Sequence, residues 1–369
     1  MDSSIRPASA FVTRSFRKAS TSFNASGKSY SSTVDLRENI TSDNLQGVAA
    51  LDFTVAICTY NGAERLPDVL DCLVEQGPIE DCNWEVIVVD NNSTDATPQV
   101  VQTYQKKYPH LGLRYTSESR QGAGYARHTA IREAHSSLVG FLDDDNLPES
   151  NWIQASYYFA QEHPQAAVIG SRIHGDLETD PPAHFERIAA FLALTDRGNE
   201  PIPYRPQQKI LPPGAGMVVR RDLWLRHVPD EPVLGGRDGK SMLTGEDIEA
   251  VLQIQQAGGE VWYNPAMRIA HKIPAKRLQR QYLLSLMRGI GLSRHRTRML
   301  SLPAWKRPLM FWAYHLNDLR KVLIHLKRYG SDAWTDTVAA SELTLYLFSL
   351  VSPYYLWQRS LCQKLAGRS

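Results

Sequence analysis

Between residues 53 and 145, short runs rich in Val and Ile alternate with segments of helical spacing. No other feature of the chain constrains its fold as strongly. The run WEVIVVD (84–90) has no polar face, so both of its faces must be covered. The segment AERLPDVLDCLVEQ (63–76) sets Leu66, Val69, Leu70 and Leu73 on one side of a helix. Strands at 53–58, 84–90, 111–118 and 138–145, separated by helices at 63–76, 93–108 and 123–135, predict an α/β fold. The expected sheet is mostly parallel, Rossmann-like and flanked by helices. Ser93 or Thr94 is the expected cap of the second helix. Further along, the pattern predicts a helix at 149–163 and a strand at 166–173. A polar, proline-rich loop or lid follows at 174–213, then a strand and helix start within 214–224. A helix at 245–259 and one or two short strands across 260–272 complete this part, and beyond 275 the chain reads as helical.

Composition matters mainly at the two ends. Residues 3–34 are rich in Ser, carry only basic charges and lack periodicity, which predicts a disordered tail over 1–50. An organellar transit peptide has a similar composition. The net charge of +2 hides a basic end: Lys272 to Ser369 holds 17 Lys or Arg against 4 Asp or Glu. Such a bias suggests an anionic surface or ligand there. The segment 276–300 mixes Arg, Lys and Leu as interfacial helices do, and a helical cap with a solvated basic face accounts for it as well. No run of about 18 apolar residues is uninterrupted. The best attempt, 338–357, contains Glu342 and Pro353 and reads as a buried or amphipathic helix. The N-terminus lacks the apolar core of a signal peptide. Four cysteines, none in a CxxC pair or at zinc spacing, favour a reducing compartment. The expectation is a cytoplasmic protein, peripheral on the inner face of the membrane through its basic C-terminal region. No nucleic-acid partner is expected.

In an open α/β sheet, ligands bind outside the carboxyl ends of the strands. Those ends read CTYNGAE (58–64), VDNNSTD (89–95), SESRQGAG (117–124) and DDDN (143–146). A turn with a helix cap explains DNNSTD on its own. GAGYAR has some look of a dinucleotide loop, but it follows the third strand and lacks the final glycine. A helix N-terminus beside Arg127 can still hold phosphate. The triple aspartate is harder to explain as a solvated loop. In an extended chain Asp143 and Asp145 point one way and Asp144 the other, which makes a site for a hard divalent cation. Asp247, at the start of GEDIEAVLQ, has capping-box spacing from Thr244; it can equally present a carboxylate to a cleft as a general base. His271 ends a short apolar run, as a structural histidine or as a metal ligand.

AICTYNGAERL, VIVVDNNSTDAT, GAGYARHTAI, VGFLDDDN, PPGAGMVVRRDLW and GEDIEAVLQIQQAGG occur in this order over residues 54–259. The series strongly resembles the family 2 glycosyltransferases, inverting enzymes of GT-A fold, and within them bacterial, cyanobacterial-like polysaccharide-assembly transferases. The resemblance implies a GT-A catalytic domain over 51–274 and a basic helical C-terminal region over 275–369. It implies that Thr59, Tyr60, Asn61, Glu64, Asp90, Asn92, Arg127, Asp143 and Asp144 contact the nucleotide sugar. Asp145 and His271 would hold Mn²⁺ or Mg²⁺. Gly214, Ala215, Gly216, Met217 and Glu246 would border the donor sugar and acceptor, and Asp247 would be the catalytic base. The donor would be a nucleotide sugar, the acceptor a carbohydrate or a lipid-linked hydroxyl. His128 departs from the asparagine common in relatives. The 95 residues at the C-terminal end lack the multi-span membrane region of processive polymer synthases. A nucleotidyltransferase would need a glycine-rich first loop, and a scaffold protein would be expected to lose the acidic residues. The nucleoside diphosphate or pyrophosphate released separates these readings.

Overall fold

A computed structural model describes residues 51–206, 210–234 and 243–366. The tail expected over 1–50 lies outside the described residues. Four strands alternate with three helices as the pattern requires: β1 (Phe53–Thr59), α1 (Leu66–Val74), β2 (Trp84–Asp90), α2 (Thr97–Lys107), β3 (Leu113–Ser117), α3 (Ala123–Glu133) and β4 (Leu138–Asp143). They form a parallel sheet in the order β3-β2-β1-β4. The chain therefore crosses from one side of β1 to the other between β3 and β4. That reversal opens a crevice at the carboxyl ends of β1 and β4, where Cys58 pairs with Asp143 in register.

The sheet continues through β5 (Asn146–Pro148), β6 (Ala166–Leu177), β7 (Ile202–Pro203), β8 (Val218–Arg220) and β9 (Glu260–Ile273), with α4 (Trp152–Glu162), α5 (Arg221–His227) and α6 (Glu246–Gln256) between them. Strand β8 runs antiparallel to both β4 and β6, which changes the parallel sheet into a mixed one. The short strands expected at 260–272 are one strand of 14 residues. Pro265 cannot donate to a ladder; Asn264 accepts the Ala266 N–H at 3.0 Å, and the pairing with β6 resumes after a register shift.

Helix α2 starts later than expected. Its first turn is held by Asp95, which accepts the Thr97 N–H at 3.0 Å and the Thr97 hydroxyl at 2.5 Å, while Ser93 and Thr94 serve the neighbouring loop. Likewise no side chain caps α6: Gly245 precedes it in a left-handed conformation, φ +105°, and Thr244 forms no capping bond.

The C-terminal region comprises α7 (Ala275–Leu278), α8 (Arg280–Leu300), α9 (Arg307–Tyr329), α10 (Asp332–Thr335) and α11 (Thr337–Ala366). Helix α8 lies against α11. At Gly291 a Cβ would stand 2.8 Å from the Phe348 Cβ and 3.0 Å from the Leu345 carbonyl oxygen, so only glycine permits the approach. Leu283, Leu286 and Met287 of α8 share a core with Phe185, Ile188 and Ile273. The apolar face of 276–300 is thus packed against the rest of the protein. Two of its cations are paired with buried carboxylates, Arg296 on Glu249 and Arg298 on Asp318, while Arg288 is exposed. The apolar surface is instead on α9, where Leu309, Trp312, Leu316 and Leu323 are each more than half exposed. Residues 338–357 lie within α11, and among the described residues no helix is long and apolar enough to cross a membrane.

Gly216 gives the first stability prediction. It has φ +64°, and a Cβ there would meet the Ile269 Cδ1 at 2.1 Å and the Ser171 Oγ at 2.7 Å. Ser171 in turn bonds the Gly216 carbonyl at 2.6 Å and receives the Trp152 indole N–H at 3.1 Å. Gly216→Ala is expected to lower unfolding free energy by roughly 2–5 kcal/mol, from the left-handed backbone and the overpacking together. Chemical denaturation measures it; a loss below 1 kcal/mol would refute it.

Candidate active site

A cavity of about 1070 Å³ opens at the carboxyl ends of β1 and β4. Of the candidate residues, Thr59, Tyr60, Arg127, Asp143, Asp144, Asp145, Gly214, Ala215, Glu246, Asp247 and His271 line it. Asn61, Glu64, Asp90, Asn92, Gly216 and Met217 do not. Asn61 and Asp90 instead build the loops beside it. The Asn61 side chain accepts the Thr94 N–H at 2.8 Å. Asp90 is buried, with one oxygen accepting the Ser93 N–H at 2.9 Å and the other the Tyr115 hydroxyl at 2.8 Å. Asn92 is exposed, whereas Asn91 is buried, lines the cavity, and accepts the Gly122 N–H at 2.7 Å where α3 begins. Gly216 and Met217 form the turn beneath the cavity floor.

Beyond Asp143 the chain is no longer extended. The strand ends at Asp143, and Asn146 closes a turn by accepting the Asp143 N–H and donating to Asp145 Oδ1, both at 3.0 Å. Each carboxylate therefore has its own cation, which is how three like charges coexist here. Asp143 Oδ1 meets Arg127 Nη2 at 3.0 Å. Asp144 receives Arg65 through two bonds, 2.9 and 2.8 Å, and the Thr59 hydroxyl at 2.6 Å. Gly62 makes room for that contact, since a Cβ would lie 2.0 Å from Thr59 Oγ1. Asp145 Oδ2 meets Arg277 Nη1 at 2.7 Å.

Arg127 is the centre of this network. Its side chain is almost wholly buried, and its other nitrogen, Nη1, reaches Glu246 Oε1 at 2.9 Å. It passes so close to Gly214 that a Cβ there would stand 2.8 Å from Nη2. Burial raises the Asp143 carboxyl above the usual range; Arg127 opposes this, and Asp145 and Asp144 add to the rise. Burial, then the neighbouring Asp247, likewise raises Glu246 against the pull of Arg127. Asp247 is held by two backbone amides, Gly214 N–H at 2.6 Å and Ile248 N–H at 2.8 Å. These fix one carboxylate at the N-terminus of α6, beside the cavity. His128, next to Arg127 on α3, accepts the Trp224 indole N–H on Nδ1 at 3.3 Å.

Asp145 and His271 converge, with Oδ1 and Nε2 3.6 Å apart. His271 Nδ1 lies 3.0 Å from the Leu192 carbonyl, which requires a proton on Nδ1; in the neutral ring the lone pair is then on Nε2. Arg277 Nη1 stands 3.2 Å from that lone pair as well as against Asp145. Burial alone would raise the Asp145 carboxyl, but a doubly protonated His271 ring, donating from Nε2, and Arg277 outweigh it and hold the carboxyl well below the usual range; with the neutral ring that role falls to Arg277. A carboxylate and an imidazole lone pair that share a guanidinium suit a divalent cation in the same place. Among the described residues no third His, Cys, Asp or Glu joins them.

Arg65, Asn91 and Arg277 are the site residues that the motifs did not single out. Arg65 sits one residue past the YNGAE stretch, and an arginine so near a future strand end is a usable signal. Arg277 had none, because only the fold brings α7 to Asp145.

A model of glycosyl transferase family 2 matches residues 54–230. A poly(ribitol-phosphate) beta-glucosyltransferase of Bacillus spizizenii is 30% identical over 121 residues, 32% of this chain and 19% of that protein. The pre-mycofactocin glycosyltransferase of Mycobacterium tuberculosis is 26% identical over 226 residues, 61% of this chain and 43% of that protein. The chain thus spans less than half the length of these relatives. Among solved structures, a mannosyltransferase from Pyrobaculum calidifontis in complex with GDP-Man and Mn²⁺ superposes with a TM-score of 0.52 at 19% identity, over 83% of this chain and 86% of that one. The strand order, the cavity at the switch point and the matched segment agree: residues 54–230 are of the glycosyl transferase family 2 type, in a chain with the GT-A fold.

Proposed function

We propose that the chain transfers a sugar from a UDP-sugar to an acceptor hydroxyl in polysaccharide or glycolipid assembly, by a single displacement with inversion. The observation that carries this reading is the meeting of Asp247 and the Asp143–Asp145 turn on one cavity at the carboxyl ends of β1 and β4. In this scheme Thr59, Tyr60 and Asn91 border the nucleoside. The acceptor oxygen bonds to the anomeric carbon as the bond to the diphosphate oxygen breaks. The hydroxyl proton passes to Asp247, and the nucleoside diphosphate leaves with the electron pair. Arg127 steadies Asp143 and Glu246 throughout. Bound Mn²⁺ or Mg²⁺ supplies positive charge for the leaving diphosphate. Asp145 and His271 would hold it, with Arg277 giving way. The test is calorimetric binding of UDP and GDP, each with and without Mn²⁺. Tight binding of UDP only with metal is expected; binding of neither nucleotide would remove the donor site from the reading.

The membrane contact moves from 276–300 to α9. Leu309, Trp312, Leu316 and Leu323 form one exposed stripe, flanked by Lys306, Arg307, Lys327 and Arg328. Trp305, Trp334 and Trp357 are also exposed. Indoles beside basic residues suit an anionic bilayer interface. A second copy of so basic a region would repel the first. Trp312→Glu with Leu316→Glu is expected to abolish co-sedimentation with phosphatidylglycerol vesicles; unchanged sedimentation would remove the membrane from the reading.

A further inference from the structure

The far wall of the cavity comes from α8 and α9, outside the segment that the family model matches. Three cations stand on it: Arg294, Arg298 and Lys321. Arg298 is neutralised by Asp318, which takes both guanidinium nitrogens at 2.5 and 2.8 Å and is itself almost fully buried. Arg294 and Lys321 differ. Among the described residues neither has a carboxylate within ion-pair distance, and Arg294 Nη1 is buried with no hydrogen-bond partner. The Lys321 ammonium lies 5.6 Å from the Tyr346 ring centroid. Burial, and then the nearby Arg298, lower the affinity of Arg294 for its proton; burial, and then Arg294, do the same at Lys321. A buried donor left unpaired costs free energy, and two cations whose one nearby carboxylate, Asp318, is already held by Arg298 cost more. An anion in the cavity would offset both.

The shape of the wall says what kind of anion. On α9, Asn317 and Lys321 face the cavity one helical turn apart, and on α8 Arg294 and Thr297 do the same. Donors approach from two helices, not in the single fork that would satisfy a carboxylate. A tetrahedral anion with several free oxygens uses such an arrangement best.

We infer that Arg294 and Lys321 bind a phosphate group carried by the acceptor, at the end of the cavity lined by α8 and α9. The inference rests on the proposed transfer, because it assigns the acceptor of that reaction to a phosphate-bearing class. The polar side of α9 holds this subsite, and its apolar stripe, Leu309, Trp312, Leu316 and Leu323, lies on the other side of the helix. The phosphate can thus be presented by a lipid at the membrane surface or by a soluble polyol phosphate.

The experiment is calorimetric titration of the full chain with two probes, glycerol 3-phosphate and monomeric dihexanoylphosphatidylglycerol, in the absence and presence of saturating UDP and Mn²⁺. Both probes are expected to bind the wild type, and Arg294→Gln with Lys321→Gln to weaken them roughly tenfold to a hundredfold, the scale of lost charge-assisted hydrogen bonds. UDP affinity serves as the check that the double variant is folded, with Lys321→Gln alone as the milder variant. Tighter binding of the lipid probe assigns a lipid-borne phosphate; equal binding assigns a soluble one. Equal affinity in wild type and variant, or no binding of either probe to the wild type, overturns the inference. Absence of UDP binding would overturn the donor site instead, and the UDP-free titration still decides the phosphate subsite.

Discussion

Asp247→Asn is expected to lower the rate of sugar transfer by about 10² to 10⁴, the usual scale for loss of a general base. The asparagine keeps the volume and one of the two amide contacts, since its carbonyl oxygen still accepts the Gly214 N–H or the Ile248 N–H. The lost bond costs about 1 kcal/mol of stability, too little to unfold the domain. What the variant cannot do is take up the acceptor proton. Nucleotide affinity should therefore stay near the wild-type value while turnover falls. The rate is read as nucleoside diphosphate released from the donor that calorimetry identifies, with a supplied acceptor or with water. Glu246 is the competing carboxylate, one residue away and facing the same cavity. Arg127 already occupies one of its oxygens, and Glu246→Gln should cost less turnover than Asp247→Asn. A larger loss in Glu246→Gln would transfer the base to Glu246. Unchanged turnover in both Asp247→Asn and Glu246→Gln would remove a carboxylate base from the mechanism.

What the chain reveals before folding follows physical range. The parallel sheet is legible because each strand carries its own signal: Val86 to Val89 are all buried, as a run without a polar face demands. The acidic run is legible for the same local reason. Its electrostatics are not. Arg65, Arg127 and Arg277 each take one aspartate, and they are separated from the turn by stretches of up to 132 residues that only the fold closes. The turn itself is not legible either: the strand ends at Asp143 and Asn146 closes a turn behind it, so strand periodicity does not extend to Asp145. The membrane face was sought on α8, since Arg, Lys and Leu are mixed there; packing covers the apolar face of that helix, and composition cannot report which of two amphipathic helices is inside.

A large and pH-dependent effect on stability is expected from Arg127→Met. The replacement fills most of the space above Gly214 but removes the one cation that Asp143 and Glu246 share. Glu246 would then lie beside Asp247, and Asp143 beside Asp144 and Asp145, with nothing to compensate them. Breaking a buried ion pair from one side costs about 3–5 kcal/mol. Asp143 keeps 40% of its side chain exposed to the cavity, so the lower end of that range, about 3 kcal/mol, is the better expectation. The sign of the pH dependence follows from both carboxyls being raised already, by burial first. Without Arg127 they rise further. A carboxyl whose folded value lies above its unfolded value binds an extra proton in the folded state, so stability is greatest below the unfolded value, near 4, and falls as pH rises through the folded one. The deficit of Arg127→Met relative to wild type should therefore be larger at pH 8 than at pH 5. Urea denaturation at the two pH values measures it. Arg127→Lys, which keeps the charge but cannot reach both carboxylates in a fork, should fall between. A deficit that is equal at both pH values would mean that packing over Gly214, not charge, is what Arg127 contributes.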